Sequence, residues 1–428
     1  MKKANGKFYL ALVIFSLVGQ IAWVVENMYL NVFIYKMFHA TASDISLMVA
    51  ASAIAATVTT LLIGALSDKL GKRKLFICGG YILWGISILG FAVIRMDVIN
   101  ALFPAAVSAA SIGVSLVIVL DCIMTFFGSS ANDAAFNAWL TDATDATNRG
   151  KAEGINAMMP LVAILAVFGG FMGVNQDLPE SWTLIFSIIG GIVLLLGILG
   201  FFLIEDTGVK CEENSHYFRN IFYGFRPSVI RENKKLYVTL LVLALFNISI
   251  QIFMPYLILY YTEALGLADY VLIFAPAIIV SAVFTALYGK VYDNHGFQKA
   301  IVPTLVLLMA GYVFLYIVRN TALVFIGSLI MMCGYIGTGA VIGALIRDCT
   351  PVNKSGMFQG LRIVGQVLIP GVVGPAIGAW VLQNADTVTN SDGTVSFIPN
   401  ENIFLAALVA IIVAWVAIIP LFKLLKKK

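Results

Sequence analysis

Three acids and one base stand inside long apolar runs, and these are the residues through which the chain could do chemistry. Glu26, Asp121, Asp133 and Arg362 each interrupt a stretch rich in Leu, Ile, Val, Ala and Phe. A charge at the centre of a membrane-spanning helix costs roughly 2.5–3.5 kcal/mol on insertion scales, so each must have a compensating use. Glu26 lies on the shoulder of a polar face, because Gln20, Trp23, Asn27 and Asn31 recur at helical spacing around it. A carboxyl at the edge of a partly dry cavity can take up and release a proton, although it could also simply hydrogen-bond neighbouring helices. Asp133 belongs to a second polar stripe, with Ser129, Ser130 and Asn137 at spacings of three and four. Solute binding, proton binding and an interhelical ion pair all fit it. Arg362 keeps its charge and requires an anionic partner, which Asp133, a carboxylate or phosphate on a solute, or the inner lipid headgroups could supply. Asp121, toward the outer end of its run, fits an interfacial residue as well as a functional one. Trp23 and Trp139 could stack on a sugar ring, but aromatics at helical spacing also serve packing and interface anchoring.

Twelve apolar runs must position these groups: 8–35, 45–66, 75–95, 115–141, 153–174, 183–204, 236–262, 268–290, 299–318, 322–347, 357–383 and 402–422. With 60% hydrophobic and 12% charged residues, the chain lacks the polar surface a water-soluble globule would need. An all-α integral membrane protein is expected. Of the 27 lysines and arginines, all but Lys36, Arg95, Arg319 and Arg362 lie in the termini or in loops after even-numbered helices. Both termini are therefore expected in the cytoplasm, as in a bacterial cytoplasmic membrane. The net charge of +4 sits beside apolar runs and sets orientation; it does not point to nucleic acid. The run after Lys2, Lys3 and Lys7 is too long for a signal peptide and reads as a retained first helix. Five cysteines show no disulfide or metal-ligand spacing. No nucleotide-binding loop, zinc motif or catalytic triad is present, so neither a cofactor nor a metal is expected, and the chain does not read as an enzyme.

Internal repeats add an architecture. Gly64, Asp68 and Gly71, followed by Lys72, Arg73 and Lys74, recur as Gly289, Asp293 and Gly296, 225 residues on. Asp142, Thr144, Gly150 and Gly154 recur as Asp348, Thr350, Gly356 and Gly360, 206 residues on. Two paired motifs in the same order imply duplicated six-helix halves, 1–204 and 236–428, joined by a polar linker, 205–235. The first half carries about 19 additional residues near 97–115. In the linker, Tyr217, Phe218, Ile221, Phe222 and Phe225 alternate with basic residues, the pattern of a helix lying in the membrane interface. The first offset pairs Glu26 with Gln251, whose own turn carries Asn247, so one half offers an acid where the other offers amides. Small-residue runs at 50–56 and 334–343 read as close-packing faces.

The Gly64, Asp68, Gly71 and Arg73 turn resembles the loop after the second helix of major facilitator superfamily transporters. That resemblance implies twelve helices in two pseudo-symmetric halves, alternating access about a site bounded by helices 1, 4, 7, 10 and 11, and a latch role for the loop. On it, Asp68 is expected near the helix beginning around Ser355, and Asp293 near the one beginning around Asn148. Asp133, Phe136, Thr144 and Arg149 are similar to the helix 4 pattern of the glycoside–pentoside–hexuronide:cation symporters, whose helix 4 aspartate binds the sugar. The match departs at Ala135 and Thr141, which stand where that family has prolines. The family's sodium-coupled members carry acids in helix 2, and Ile45 through Gly64 contains none. The region from Gly19 to Arg73 also resembles the sucrose-type branch. The resemblance implies a monomeric transporter in the lipid bilayer that takes up a small polar solute, a sugar or glycoside, together with a proton. The candidate binding residues are Glu26, Asp133, Arg362, Asn137, Asn27, Gln20, Trp23, Gln251 and Asn247, and the candidate gate is Gly64, Asp68, Gly71, Arg73, Asp293 and Gly296. Gly371, Gly374, Pro375 and Gly378 are similar to the antiporter motif of drug exporters, which keeps a proton-driven exporter open. A non-transporting receptor on the same fold is a further alternative.

Overall fold

The structure, a computed structural model, describes residues 6–104, 108–145, 148–206, 223–350, 360–390 and 393–426. Among these are twelve helices long and apolar enough to cross a membrane: α1 (Gly6–Phe38), α2 (Ala42–Gly64, continuing helically to Leu70), α3 (Arg73–Phe91), α4 (Ala109–Ala143), α5 (Arg149–Phe171), α6 (Pro179–Leu203), α7 (Lys234–Ala264), α8 (Val271–His295), α9 (Phe297–Ile317), α10 (Thr321–Cys349), α11 (Gly360–Val381) and α12 (Asn402–Lys426). A helix satisfies every backbone polar group internally, which a hydrocarbon solvent demands. All twelve expected runs are found.

The ends differ from the expected ones where local chemistry sets them. α2 starts three residues early because Thr41 and Asp44 close a reciprocal cap: the Asp44 carboxylate accepts from the Thr41 amide at 2.8 Å, and the Thr41 hydroxyl accepts from the Asp44 amide at 3.2 Å. α6 starts early at Pro179, whose fixed φ suits the first helical turn. The additional segment near 97–115 resolves into a short helix, Met96–Leu102, and an early start to α4, where the Ser108 side chain accepts from the Ser111 amide. Arg95 pairs with Asp97 and Glu180 there, and its guanidinium holds the Asp97 carboxyl below the usual carboxylate range. Most of the expected interfacial linker helix lies outside the described residues; Tyr223–Phe225 and Pro227–Glu232 form short helical turns.

The chain divides into two compact units, Met1–Ala40 with Ala51–Arg219, and Thr41–Ala50 with Asn220–Lys428. In the first, Phe33 packs against Trp182 and Phe186 at ring separations of 5.3 and 5.0 Å, and the buried Tyr81 hydroxyl donates to the Phe15 carbonyl. In the second, the buried Ser249 hydroxyl contacts Tyr312 Oη and the Ala407 carbonyl, and Tyr256 Oη donates to the Pro375 carbonyl. Large apolar side chains such as Phe202 and Trp380 point outward, the arrangement lipid rewards. A two-stranded antiparallel hairpin, β1 (Thr387–Thr389) and β2 (Val395–Phe397), joins α11 to α12. Its six residues are too few to register in hydropathy.

The glycine turn is narrower than its sequence implied. Gly64 does not turn, since α2 runs helically through it to Leu70. Gly71 alone adopts a positive φ, 62°. The repeat behaves alike: Gly289 lies inside α8, and Gly296 has φ 75° and ψ 174°. Both turn glycines donate to a carbonyl four residues back, Ser67 at 3.0 Å and Tyr292 at 2.8 Å. The backbone at Gly296 lies in a region open essentially only to glycine, at a cost of about 1–3 kcal/mol for other residues. Gly289→Ala meets no atom within 4 Å and gains about 1 kcal/mol of helix propensity. The two substitutions should therefore shift thermal unfolding of the detergent-solubilised protein in opposite directions, Gly296→Ala downward and Gly289→Ala upward or not at all.

Candidate functional site

Glu26 and Asp133 both lie in π-helical turns, Val25–Tyr29 of α1 and Ser129–Phe136 of α4. A π turn inserts one residue and re-aims the side chains beyond it. At Val25–Tyr29 this divides the expected polar face: Asn27 is exposed, Gln20 and Trp23 are half-buried, and Asn31 and Glu26 are buried. Asn27 bonds back to the Trp23 carbonyl, and Asn31 to the Asn27 carbonyl. Trp23 packs on Trp84 at 5.0 Å, so that ring face is in use.

Glu26 Oε1 accepts from Ser52 Oγ on α2 at 2.7 Å and from Thr125 Oγ1 on α4 at 2.8 Å; the two hydroxyls are 2.9 Å apart. Glu26 Oε2 is buried and has no partner. Asp121, one turn before Thr125, is buried rather than interfacial; it is 2% exposed, and its Oδ1 has no partner. Glu26 bears electrostatically on Asp121, and Asp133 on Glu26. Asp133 Oδ2 accepts from Ser129 Oγ at 3.0 Å, and Asn137 Nδ2 bonds the Asp133 carbonyl. Ser130 turns away to the Phe126 carbonyl and leaves the expected stripe. The first unit thus gathers three carboxyls, two of them with orphan oxygens. The signal that joins Asp121 to the others is in the sequence, because 121, 125, 129, 133 and 137 are four apart and all polar.

At the α2–α3 turn, Arg73 is buried rather than exposed with its basic neighbours. Its Nε bonds Asp142 Oδ2 at 3.1 Å, and its Nη1 bonds Ser67 Oγ at 2.7 Å. In the repeat the Tyr292 hydroxyl, standing where Ser67 stands in the first half, donates directly to Asp348. Asp142 and Asp348 were legible only as repeat markers, and the structure makes them the acceptors at both helix ends. The Asp68 side chain and residues around Ser355 lie outside the described residues, so the expected juxtaposition there does too; Asp293 is exposed. Thr144 and Arg149 also acquire a local role. Arg149 donates to Thr144 Oγ1 and to the Thr141 and Thr144 carbonyls, closing the last turn of α4. Trp139 donates to the Glu205 carbonyl and stacks on Phe136, which makes it a packing residue.

In the second unit, Arg362 Nε bonds Gln366 Oε1 at 3.1 Å, at the start of another π turn, Val364–Leu368. Asn247 Nδ2 is buried without a partner. A Cβ at Gly374 would lie 2.5 Å from Gln251 Cβ, and one at Gly378 would collide with the Ile252 carbonyl oxygen. The glycines of the exporter-like motif therefore let α11 press against α7. A separate cavity of about 410 Å³ opens among Phe33, Lys36, Phe91, Arg95, Asp177 and Trp182; none of Glu26, Asp121 and Asp133 lines it.

A family model described as Major Facilitator Superfamily matches residues 9–375. Among solved structures, a mutant form of the nucleoside transporter NupG superposes with a TM-score of 0.73 at 13% identity, over 98% of this chain and 100% of that one. A bacterial homologue of the human lysosomal transporter Spinster gives 0.73 at 15% identity over 99% and 98%. The xylose transporter XylE from E. coli gives 0.67 at 13% over 96% and 98%. At such identities the likeness is one of fold. No curated protein matches in sequence.

Removing one partner from a buried ion pair leaves an uncompensated charge and costs about 3–5 kcal/mol. With side chains only 7% and 19% exposed, Arg73 and Asp142 meet that condition. Asp142→Ala should lower thermal stability by that order, and the Arg73→Met, Asp142→Leu double variant should recover much of the loss in a double-mutant cycle.

Proposed function

The chain belongs to the Major Facilitator Superfamily, and on that premise we propose that it is a secondary transporter that takes up a small polar solute, a sugar or glycoside, together with a proton by alternating access. The observation that carries the coupling is Glu26, a carboxyl buried among the α1, α2 and α4 side chains with one oxygen bonded to two hydroxyls and the other unbonded. Such a group is costly unless its charge is neutralised or its cargo supplies a partner. Asp133 supports the solute reading. It is half-buried on a polar stripe, and the resemblance of its surroundings to the glycoside–pentoside–hexuronide:cation symporters assigns the sugar contact to it. The distribution of lysine and arginine supports a cytoplasmic position for both termini in a bacterial cell, and the duplicated glycine turns act as the cytoplasmic latch of a monomer. Similarity to transporters of nucleosides and xylose keeps the solute polar without naming it.

Proteoliposomes loaded at neutral pH and diluted into acidic medium, with a panel of radiolabelled monosaccharides, disaccharides and glycosides, test this reading. One solute should accumulate with the parent protein. Asp133→Asn should abolish its uptake, and Glu26→Gln should reduce gradient-driven accumulation at least tenfold while preserving exchange of labelled for unlabelled solute. Unchanged gradient-driven accumulation in both variants would overturn the coupling, and accumulation only when the gradient is reversed would make the protein an exporter.

A further inference from the structure

The cavity of about 410 Å³ lies at the end of the first unit away from the start of α1, where four segments meet: the last turn of α1, the end of α3, the short helix Met96–Leu102 and the start of α6. Hydrogen bonds fasten the walls. Thr183 Oγ1 on α6 donates to the Ala92 carbonyl after α3 at 3.2 Å, and Trp182 Nε1 donates to the Gln176 carbonyl at 2.8 Å. Phe33, Met37, Phe91 and Trp182 make much of the lining apolar. A cavity of this size suits a small organic group.

Charge makes the cavity informative. At these ends of its helices the first half has only two bases, Lys36 and Arg95, and both line this one cavity. Lys36 Nζ meets Asp177 Oδ1 at 2.7 Å, and Arg95 meets Asp97 at 3.0 Å and Glu180 at 3.3 Å. The pairs are graded by depth. The base side chains are 19% and 29% exposed, whereas those of Asp177, Asp97 and Glu180 are 67%, 66% and 68% exposed. Positive charge is therefore held within and negative charge at the rim. Ion pairs with acids so exposed contribute little to folding, so a ligand that replaces them displaces little. Directly after Thr183, the exposed side chains of Leu184, Ile188, Ile192 and Leu195 form an apolar ridge along α6. In a bilayer, acyl chains cover such a ridge.

We propose that this cavity seats one phospholipid whose headgroup carries a phosphate and a primary ammonium, as phosphatidylethanolamine does, with an acyl chain on the α6 ridge. The phosphate meets Lys36 Nζ and the Arg95 guanidinium, a fork suited to phosphate oxygens. The ammonium stays at the rim and donates to the carboxylates of Asp97, Asp177 and Glu180. Each pair within the protein is exchanged for a pair with the lipid, and charge stays compensated. An anionic headgroup without an amine would face three carboxylates. A quaternary ammonium has no N–H for them to accept, and the rings that could box it are engaged: Phe33, Phe91 and Trp182 all pack on Phe186.

Native mass spectrometry of the full-length protein, released from micelles containing equal amounts of dioleoyl phosphatidylethanolamine, phosphatidylcholine and phosphatidylglycerol, tests the seat. The parent should retain one phosphatidylethanolamine in preference to either competitor by about fivefold or more. Lys36→Gln with Arg95→Gln should lower that retention by about fivefold or more, and Lys36→Gln alone carries the test if the double variant is not monodisperse. Asp97→Asn with Asp177→Asn should keep a bound lipid while equalising phosphatidylethanolamine and phosphatidylglycerol. Arg319→Gln, which breaks the ion pair to Glu401 in the second unit, should match the parent. In thermal unfolding of the detergent-solubilised parent, phosphatidylethanolamine should raise the midpoint by about 3 °C or more, and water-soluble phosphoethanolamine should not. Equal retention of the three lipids by the parent, or parental retention in the lysine and arginine variants, would overturn the seat. Stabilisation by phosphoethanolamine as large as that by the lipid would give the cavity to a soluble zwitterion and overturn the lipid as its occupant.

Discussion

The cost of holding Glu26, Asp121 and Asp133 among apolar helices governs the first unit, where, among the described residues, no ion pair is formed by any of the three. The protein meets it with hydroxyls: Ser52 and Thr125 on Glu26, Ser129 on Asp133. Hydroxyls are small, so α1, α2 and α4 can approach closely enough to exclude lipid from the acids. The neighbouring positions follow suit, with Gly128, Ala131, Ala134 and Ala135 all buried around the π turn of α4. Two hydrogen bonds to one carboxylate oxygen do not equal the hydration the group has lost. On the proton-coupled reading proposed above, that deficit is what a proton would relieve.

The duplicated halves meet a second constraint, the end of α4 and of α10, by different chemistry. In the first, Arg73 bridges Ser67 and Asp142; in the second, the tyrosine at the position of Ser67 reaches Asp348 itself. The residue at the position of Arg73 is Gln298, which bonds the Phe422 carbonyl instead. Loss of the arginine and gain of a long hydroxyl are thus coupled. The ionic version is strong but intolerant of losing one partner. The tyrosine version carries a single negative charge near the helix end and depends less on exact pairing.

Hydropathy made the twelve helices legible because a spanning helix must be apolar over most of its length, and no other element offers that signal. Their ends were less visible. Thr41 with Asp44, Pro179 and Ser108 are ordinary cap residues whose effect is a few residues of extra helix. The site was half legible. Glu26 and Asp133 stood out as charges in apolar runs, but their surroundings depend on π turns, which leave no periodic trace. An α-helical wheel placed Asn27 with Gln20 and Trp23, whereas the inserted residue exposes Asn27 and buries Asn31. The alignment of Asp121 with Thr125, Ser129 and Asp133 was less visible, because threonine and serine are weakly polar on any scale and common in spans. The glycine turn was legible as a repeat, yet spacing alone does not tell a glycine that turns from one that lies within a helix.

Buried polar groups are distributed unequally between the units, and the inequality bears on what each handles. In the first, the unpartnered buried atoms include carboxyl oxygens, those of Glu26 and Asp121, beside neutral atoms such as Asn31 Oδ1 and Thr60 Oγ1. Among the described residues of the second, such atoms are all neutral: the Asn247 amide nitrogen and the hydroxyls of Tyr260, Thr285 and Thr338. A neutral donor or acceptor left unbonded costs about 1–3 kcal/mol, and a hydroxyl-rich solute is suited to recover that cost, whereas a proton is not. An ionised oxygen is the reverse case, since its deficit is electrostatic and a proton removes it outright. Because the duplicated helices place Gln251 where Glu26 stands, the same helical position is ionisable in one unit and amide-bearing in the other. On the proton-coupled reading proposed above, divergence of the repeat in this direction separates the work, since an ion and a neutral solute would each meet its own surface chemistry.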